Sequence, residues 1–135
     1  MEYYNNHYKR LTREVQDFSQ QWELNGTEHS FLKYVSRCRY KNKHEDLVKA
    51  NWFYNGETKN GTIVRDSVRL KTREFRNDLL LYVIENDLTE WQCEALFSFF
   101  KRRFRETDVA LEKGKEEFSK LRENGQLPSQ INFTD

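Results

Sequence analysis

The scarcity of helix-breaking residues most constrains this fold, because the 135-residue chain contains one proline and five glycines. Proline lacks an amide proton and clashes with the preceding helical turn, and glycine costs about 1 kcal/mol in a helix relative to alanine. The apolar residues also recur at helical spacing: Leu11, Val15, Phe18 and Trp22 lie four, three and four residues apart. The sequence therefore predicts an all-α protein that folds as a single helical domain over residues 1–135.

Residues 6–54 are predicted to carry an N-terminal three-helix motif. Its helices cover about residues 11–24, 27–40 and 44–54, with Thr27 as the N-cap of the second helix. Two Asn-Gly pairs follow, at positions 55–56 and 60–61. Because Asn-Gly is a strong turn signal, these pairs predict a loop over residues 55–62.

A C-terminal helical pair is predicted over residues 63–125. The first of these helices runs over about residues 66–85. The second is long: it begins after Thr89, which is placed to form a capping box with Gln92, and it continues toward residue 125. Gly114 predicts a kink or break within it. Residues 126–135 are predicted to form a tail.

Two apolar features exceed what a small monomer needs to bury, and they predict a homo-oligomer. Trp52 lies off the apolar stripe of the third helix, where it would cover a subunit contact or a ligand. The other feature is a row of four apolar residues spaced seven apart: Phe97, Phe104, Leu111 and Phe118. The row would form one edge of a coiled-coil seam between subunits, or it would pack on the chain's own core.

Bulk properties and missing motifs exclude several function classes. No stretch approaches the roughly 18 apolar residues of a membrane span, and the N-terminus lacks the apolar segment of a signal peptide. The chain contains neither GxxxxGK[ST] nor GxGxxG, and it has no zinc-type cluster of Cys and His. Its net charge is +1, which disfavours nucleic-acid binding through the basic segment KRRFR at residues 101–105. Cys38 and Cys93 lie in apolar patterns and are interpreted as buried thiols in a reducing compartment, which favours the cytoplasm.

A basic run is the most informative feature for function. Five Lys or Arg occur among the eleven residues 33–43, with no acid among them. Lys33, Arg37 and Lys41 are spaced four apart, so they line one face of a helix. Three stacked cations repel one another unless an anion neutralises them. A phosphate can bind both the planar guanidinium of Arg and the compact ammonium of Lys.

Two interpretations of the basic run remain open from the residues alone. In one, a phosphate-bearing ligand binds the cations, and Tyr34 or Trp52 supplies a ring on which a base stacks. In the other, the run is a solvated basic face with an ion pair to Asp46.

Four segments resemble the SaV-like family of small bacteriophage proteins. They are HYK at residues 7–9, EVQDFSQQWELN at 14–25, LKYVSRCRYK at 32–41 and EDLVKANWFY at 45–54. The family pattern reads approximately HY, E-x-x-D-x-x-x-x-x-x-L, LKY-x-x-R-x-x-x-K and DL-x-KA-x-W-Y. The chain follows it in order over about residues 6–54, with Phe53 where the pattern has its final Tyr.

The resemblance implies a set of site residues. Carried onto this chain, the polar signature of the family falls on nine positions: His7, Tyr8, Glu14, Lys33, Tyr34, Arg37, Lys41, Asp46 and Lys49.

Two functions follow from the resemblance, and it leaves open whether the chain is an enzyme. One relative is a phage kinase of deoxynucleoside monophosphates without a Walker motif, which implies nucleotide or phosphate-ligand binding, kinase-like chemistry, and Mg²⁺ accompanying the nucleotide. Another relative is a phage protein on which a host abortive-infection system depends. That relative implies a non-enzymatic protein that contacts a host defence factor, and both readings place the chain in the host cytoplasm.

Overall fold

The described part of the chain consists of α-helices joined by short turns. The computed structural model describes residues 13–39, 44–59 and 68–123, and all of their side chains except those of residues 57–59, 68–69 and 121–123. The helices are α1 (Val15–Trp22), α2 (Gly26–Arg37), α3 (His44–Lys59), α4 (Arg73–Glu85), α5 (Glu90–Phe100) and α6 (Phe104–Glu123), with a 3-10 turn (Val68–Lys71) before α4. No strand occurs within these residues, so the predicted all-α class is confirmed. None of the described helices is long and apolar enough to cross a membrane.

Capping bonds determine where α2 and α5 begin. The N-cap of α2 is Asn25 rather than the predicted Thr27. Asn25 and Glu28 form a reciprocal capping box, in which the backbone N–H of each donates to the other's side chain at 2.8 Å. α5 begins after Thr89 as predicted, and the Thr89 N–H donates to Oε1 of Gln92 at 2.8 Å.

The helix α3 is longer than the sequence predicts. It continues through Asn55 and Gly56 to Lys59, so the predicted loop over residues 55–62 is wrong for its first five residues, and residues 60–62 lie outside the described part. Leu47, Ala50 and Tyr54 are buried along one side of α3, which fixes its direction before the Asn-Gly pair is reached. A helix held in this way tolerates one glycine at a cost of about 1 kcal/mol.

α4 is shorter than predicted, since it begins after Thr72 rather than near residue 66. The Thr72 side chain accepts a hydrogen bond from the Phe75 N–H at 3.1 Å and so caps the helix.

The predicted long last helix is two helices, α5 and α6, which fold back on each other. The break lies at residues 101–103, where Arg102 adopts a left-handed conformation with φ of 62°. The hydroxyl groups of Ser98 and Thr107 meet at 2.8 Å across the turn, and both residues are buried. Neither proline nor glycine marks this turn in the sequence, so the pattern of breakers does not predict it.

The predicted kink or break at Gly114 is wrong, because α6 continues through this residue. Gly114 instead allows α5 to approach α6 closely. A Cβ atom at Gly114 would lie 2.9 Å from the indole ring of Trp91, closer than real Cβ contacts. The Trp91 ring is buried and also meets Phe118 edge to face at 6.3 Å. The glycine therefore provides the space in which the two helices close on Trp91.

Aromatic rings make up much of the core. Phe31 of α2 stacks on Phe99 of α5 with ring centroids 4.2 Å apart. Leu111 and Phe118 are 2% and 1% exposed, so these two members of the heptad-spaced row pack on the chain's own core and are closed to a second subunit. Phe97 and Phe104 are half-buried, and a homo-oligomer stays a prediction.

A buried glutamine joins the N-terminal and C-terminal parts of the described chain. Nε2 of Gln92, at the start of α5, donates to the carbonyl oxygen of Val35 at 2.7 Å. That carbonyl lies in the last turn of α2, where carbonyls lack partners within the helix. Nearby, the hydroxyls of Ser36 and Tyr82 meet at 2.7 Å inside the core. The outer face of α2 is thereby held in a fixed orientation.

A second polar cluster ties Arg13, which precedes the N-cap residue of α1, to α4. The guanidinium of Arg13 donates to both carboxylate oxygens of Asp78 at 2.7 Å, and Nε1 of Trp22 donates to Oδ2 at 2.7 Å. These bonds hold the pKa of Asp78 below its usual range. The sequence analysis does not single out this cluster, because its members lie far apart in the chain.

Candidate functional site

The outward sides of α2 and α3 carry four of the nine site positions that the resemblance implies. The inner stripe of α2 is buried, and this leaves Lys33, Tyr34 and Arg37 half-exposed. The inner stripe of α3 likewise leaves Lys49 half-exposed, whereas Asp46 is fully buried. Glu14 is the exposed N-cap residue of α1, away from this group, and His7, Tyr8 and Lys41 lie outside the described residues.

Two lysines from different helices converge on one tyrosine ring. Nζ of Lys33 lies 5.3 Å from the ring centroid of Tyr34, and Nζ of Lys49 lies 5.4 Å from the same centroid. Both distances are within the range of a cation–π contact. The two ammonium groups are therefore no more than about 11 Å apart.

Phe53 extends this arrangement into a row of rings. Its ring stacks on Tyr34 with centroids 5.9 Å apart and planes 15° apart, and Trp52 meets it edge to face at 4.9 Å. The Trp52 side chain is 69% exposed, so its ring is largely open to solvent. We name the surface formed by Lys33, Tyr34, Lys49, Trp52 and Phe53 the α2–α3 face.

The sequence analysis does not select Phe53 as a site residue. A signal for it exists, because Phe53 follows Lys49 by four positions and so lies on the same side of α3. What the pattern cannot show is that this side of α3 faces Tyr34 of α2. That contact depends on how the two helices pack.

The charges around the α2–α3 face are only weakly neutralised by the contacts observed. Oε1 of Glu45 lies 3.7 Å from Nζ of Lys49, but both side chains are substantially exposed and such pairs contribute little. Lys33 adds to the effect of burial in lowering the pKa of His29, whose Nδ1 meets Oγ of Ser19 at 2.7 Å. The positive charge of Lys33 therefore acts on His29, one helical turn nearer the N-terminus of α2.

Asp46 faces the protein interior, in the first turn of α3. Burial raises the pKa of the Cys38 thiol, and the Asp46 carboxylate raises it further. A buried thiol of raised pKa is a poor nucleophile, which fits the interpretation of Cys38 as a structural residue. The ligand-binding role that the resemblance implies for Asp46 stays a prediction.

Arg37 lies in the last turn of α2, one turn beyond Lys33. A cation at this position interacts favourably with the negative end of the helix dipole. The described residues contain no group of three or more His, Cys, Asp or Glu placed to hold a metal ion.

Comparison of the chain with protein-family models, with curated proteins and with solved structures finds no match. The resemblance to the SaV-like family therefore rests on the four segments quoted above and stays a prediction.

Proposed function

We propose that the α2–α3 face binds a phosphate-bearing ligand, with a nucleotide as the ligand class that suits it best. The observation that carries the proposal is the convergence of Lys33 and Lys49 on the ring of Tyr34, at 5.3 and 5.4 Å. In this proposal the two ammonium groups bind phosphate oxygens. Arg37 and Lys41 add further charge, and His7 and Tyr8 close the site.

Phosphate fits the α2–α3 face because a multiply charged anion relieves the repulsion between the two lysines. A monovalent anion would neutralise only one of them. The rings favour a ligand that also carries a planar group, since the exposed Trp52 side chain offers a face on which a base stacks. A nucleoside monophosphate combines both groups in one molecule.

Kinase-like chemistry is the more specific form of this proposal, and it rests on the family resemblance. Phosphoryl transfer depends mainly on positioning and on neutralising the phosphate charge, which lysine and arginine side chains with Mg²⁺ supply. A nucleophilic side chain is not required for it.

Thermal unfolding in the presence of a panel of deoxynucleotides tests binding directly. A ligand at about a hundred times its Kd adds about 2.7 kcal/mol to the free energy of unfolding, which appears as a clear rise in Tm. The double variant Lys33→Gln/Lys49→Gln is expected to lose this rise. The matched control is Lys113→Gln/Lys120→Gln, which removes the same amount of charge from α6. This control should retain the ligand-induced rise in Tm.

Two outcomes would count against nucleotide binding. A Tm that no deoxynucleotide raises would remove the proposal. An equal rise in the wild type and in the Lys33→Gln/Lys49→Gln variant would place the ligand elsewhere.

A second candidate function is contact with a host defence factor, and the 69% exposure of Trp52 favours it. Large exposed aromatic side chains are enriched at the centres of protein interfaces. Capture experiments with lysate of the phage's host would then depend on Trp52, and Trp52→Ala would abolish capture of one specific protein. Capture that is unaffected by Trp52→Ala would argue against this surface as the contact.

A further inference from the structure

A cavity of about 260 Å³ lies between the start of α4 and the turn that joins α5 to α6. We name it the α4–α5 cavity. Its apolar wall consists of Leu70, Phe75, Leu79, Phe97 and Phe100. Phe75 and Phe100 meet edge to face with centroids 5.2 Å apart, and both are buried. The rings are thus held in place by the core, so the hollow is preformed.

Four cationic side chains also line the cavity: Lys71 and Arg76 from the α4 side, and Lys101 and Arg103 from the turn after α5. None of the described residues that line it is acidic. Nζ of Lys101 lies 5.9 Å from the ring centroid of Phe97, which places this charge directly beside the apolar wall. Arg103 approaches Glu106 at 3.7 Å, but both side chains are more than 60% exposed, so that pair is weak.

We propose that the α4–α5 cavity binds a small amphipathic anion, with one carboxylate or phosphate headgroup and an apolar body. The volume sets the size of that body. A cavity of about 150 Å³ accepts benzene, and the pockets of drug-sized ligands begin at about 300 Å³. A single substituted ring or a medium-length alkyl chain therefore fits, with its headgroup among the four cations.

The wall of the cavity disfavours a nucleobase as the buried group. Thr72 supplies the only neutral polar side chain among the lining residues described, and its Oγ1 already accepts from the Phe75 N–H. The cations can donate to the acceptors of a base but cannot accept from its ring donors, so a base in this hollow would leave those donors without side-chain acceptors, which costs free energy. The ligand class of the cavity thus differs from that of the α2–α3 face, and the two proposals are independent.

Isothermal titration with octanoate, octanol and acetate separates the contributions of body and headgroup. Octanoate carries both parts, octanol lacks the charge, and acetate lacks the apolar body. Octanoate is expected to bind at least tenfold more tightly than either of the other two. Saturation-transfer NMR on octanoate should show its alkyl protons, rather than only those next to the carboxylate, in contact with the protein.

Two double variants with equal charge change locate the site. Arg76→Gln/Lys101→Gln alters two exposed lining residues and is expected to weaken octanoate binding at least tenfold. Arg105→Gln/Lys113→Gln alters two exposed cations of α6 outside the cavity, and it should leave the affinity within about twofold. The variant Lys33→Gln/Lys49→Gln should likewise bind octanoate normally, which keeps this test separate from that of the α2–α3 face.

Several results would overturn the proposal. They include no saturable octanoate binding, octanol that binds as tightly as octanoate, and equal losses in the Arg76/Lys101 and Arg105/Lys113 variants. Displacement of octanoate by a duplex oligonucleotide, with affinity that falls steeply as salt rises, would instead identify a polyanion surface made by the same cations.

Discussion

The α2–α3 face and the α4–α5 cavity both gather cations beside aromatic rings, but they arrange the two groups differently. On the face, Lys33 and Lys49 lie over a ring that already stacks on Phe53, and the exposed Trp52 extends the row outward. In the cavity, the cations surround a hollow whose rings line its wall. Because both places carry positive charge, charge alone does not distinguish the two ligands that we propose. The shape of the apolar surface beside the charge is what distinguishes them.

Removing the hydrogen bond between Gln92 and Val35 should change the free energy of unfolding most, because this bond joins α2 to α5. α2 carries part of the α2–α3 face, and α5 lines the α4–α5 cavity. Gln92→Leu would remove the donor to a buried carbonyl at the end of α2 and the acceptor for the Thr89 N–H. Leaving such groups unsatisfied costs about 1–3 kcal/mol each, so we expect a loss of about 2–3 kcal/mol in the free energy of unfolding. Denaturant titration measures this loss.

Hydrogen exchange would show whether Gln92 couples the two regions. In Gln92→Leu, amide protection should fall both in the last turn of α2 and in the first turn of α5. A fall in protection confined to α5 would mean that α2 and α5 are stabilised independently of each other.

The cluster of Arg13 and Asp78 offers the next largest effect, since it ties Arg13 and Trp22 to α4. Asp78→Asn is expected to cost about 1–2 kcal/mol at neutral pH, because hydrogen bonds to charged groups are worth more than neutral ones. Thermal unfolding of this variant, with Glu112→Gln as an exposed carboxylate control, measures the effect.

The same cluster predicts a pH dependence with a definite sign. The bonds from Arg13 and Trp22 hold the pKa of Asp78 below its value of about 3.9 in unfolded chains. This contribution to stability is therefore fully present above about pH 4 and is lost as the pH falls through the lowered folded pKa. The acid-induced fall in Tm should be shallower in Asp78→Asn, and an identical fall in both proteins would contradict the assignment.

Two helical glycines, Gly56 in α3 and Gly114 in α6, provide a closely matched pair of tests with the smallest expected change in the free energy of unfolding. Gly114→Ala places a methyl group 2.9 Å from the Trp91 ring and should cost about 1 kcal/mol net, since overpacking outweighs the gain in helix propensity. Gly56→Ala in α3 meets nothing within 4 Å and should raise stability by about 0.5–1 kcal/mol. Chemical denaturation of both variants would compare them, and a stabilised Gly114→Ala would show that α5 and α6 adjust easily around Trp91.

The sequence predicts the helical class and the inner stripes well, because both depend on local periodicity. Val15 and Phe18 are buried, as their spacing with Leu11 and Trp22 indicates. The capping box at Thr89 and Gln92 is likewise local, and it is confirmed by the bond between them.

The features that sequence reasoning misses depend on contacts between distant residues. The break after α5 lies at Arg102, a residue without helix-breaking chemistry, and the buried pair of Ser98 and Thr107 closes the turn there. Asn55 and Gly56 carry a turn signal that the packing of α3 overrides. The α4–α5 cavity joins the segments 70–79 and 97–103, and nothing in either segment indicates that they meet.

The unequal exposure of the tryptophans gives each region its own optical signal. Trp52 is 69% exposed, whereas Trp91 is 5% exposed and lies against Gly114. An indole in water emits at longer wavelength and collides readily with iodide, which Lys33 and Lys49 would also attract. The red edge of the emission spectrum therefore follows events at the α2–α3 face. In a Trp22→Phe variant, which lacks the third and half-buried indole, the blue edge follows the closure of α5 on α6, without any label added to the chain.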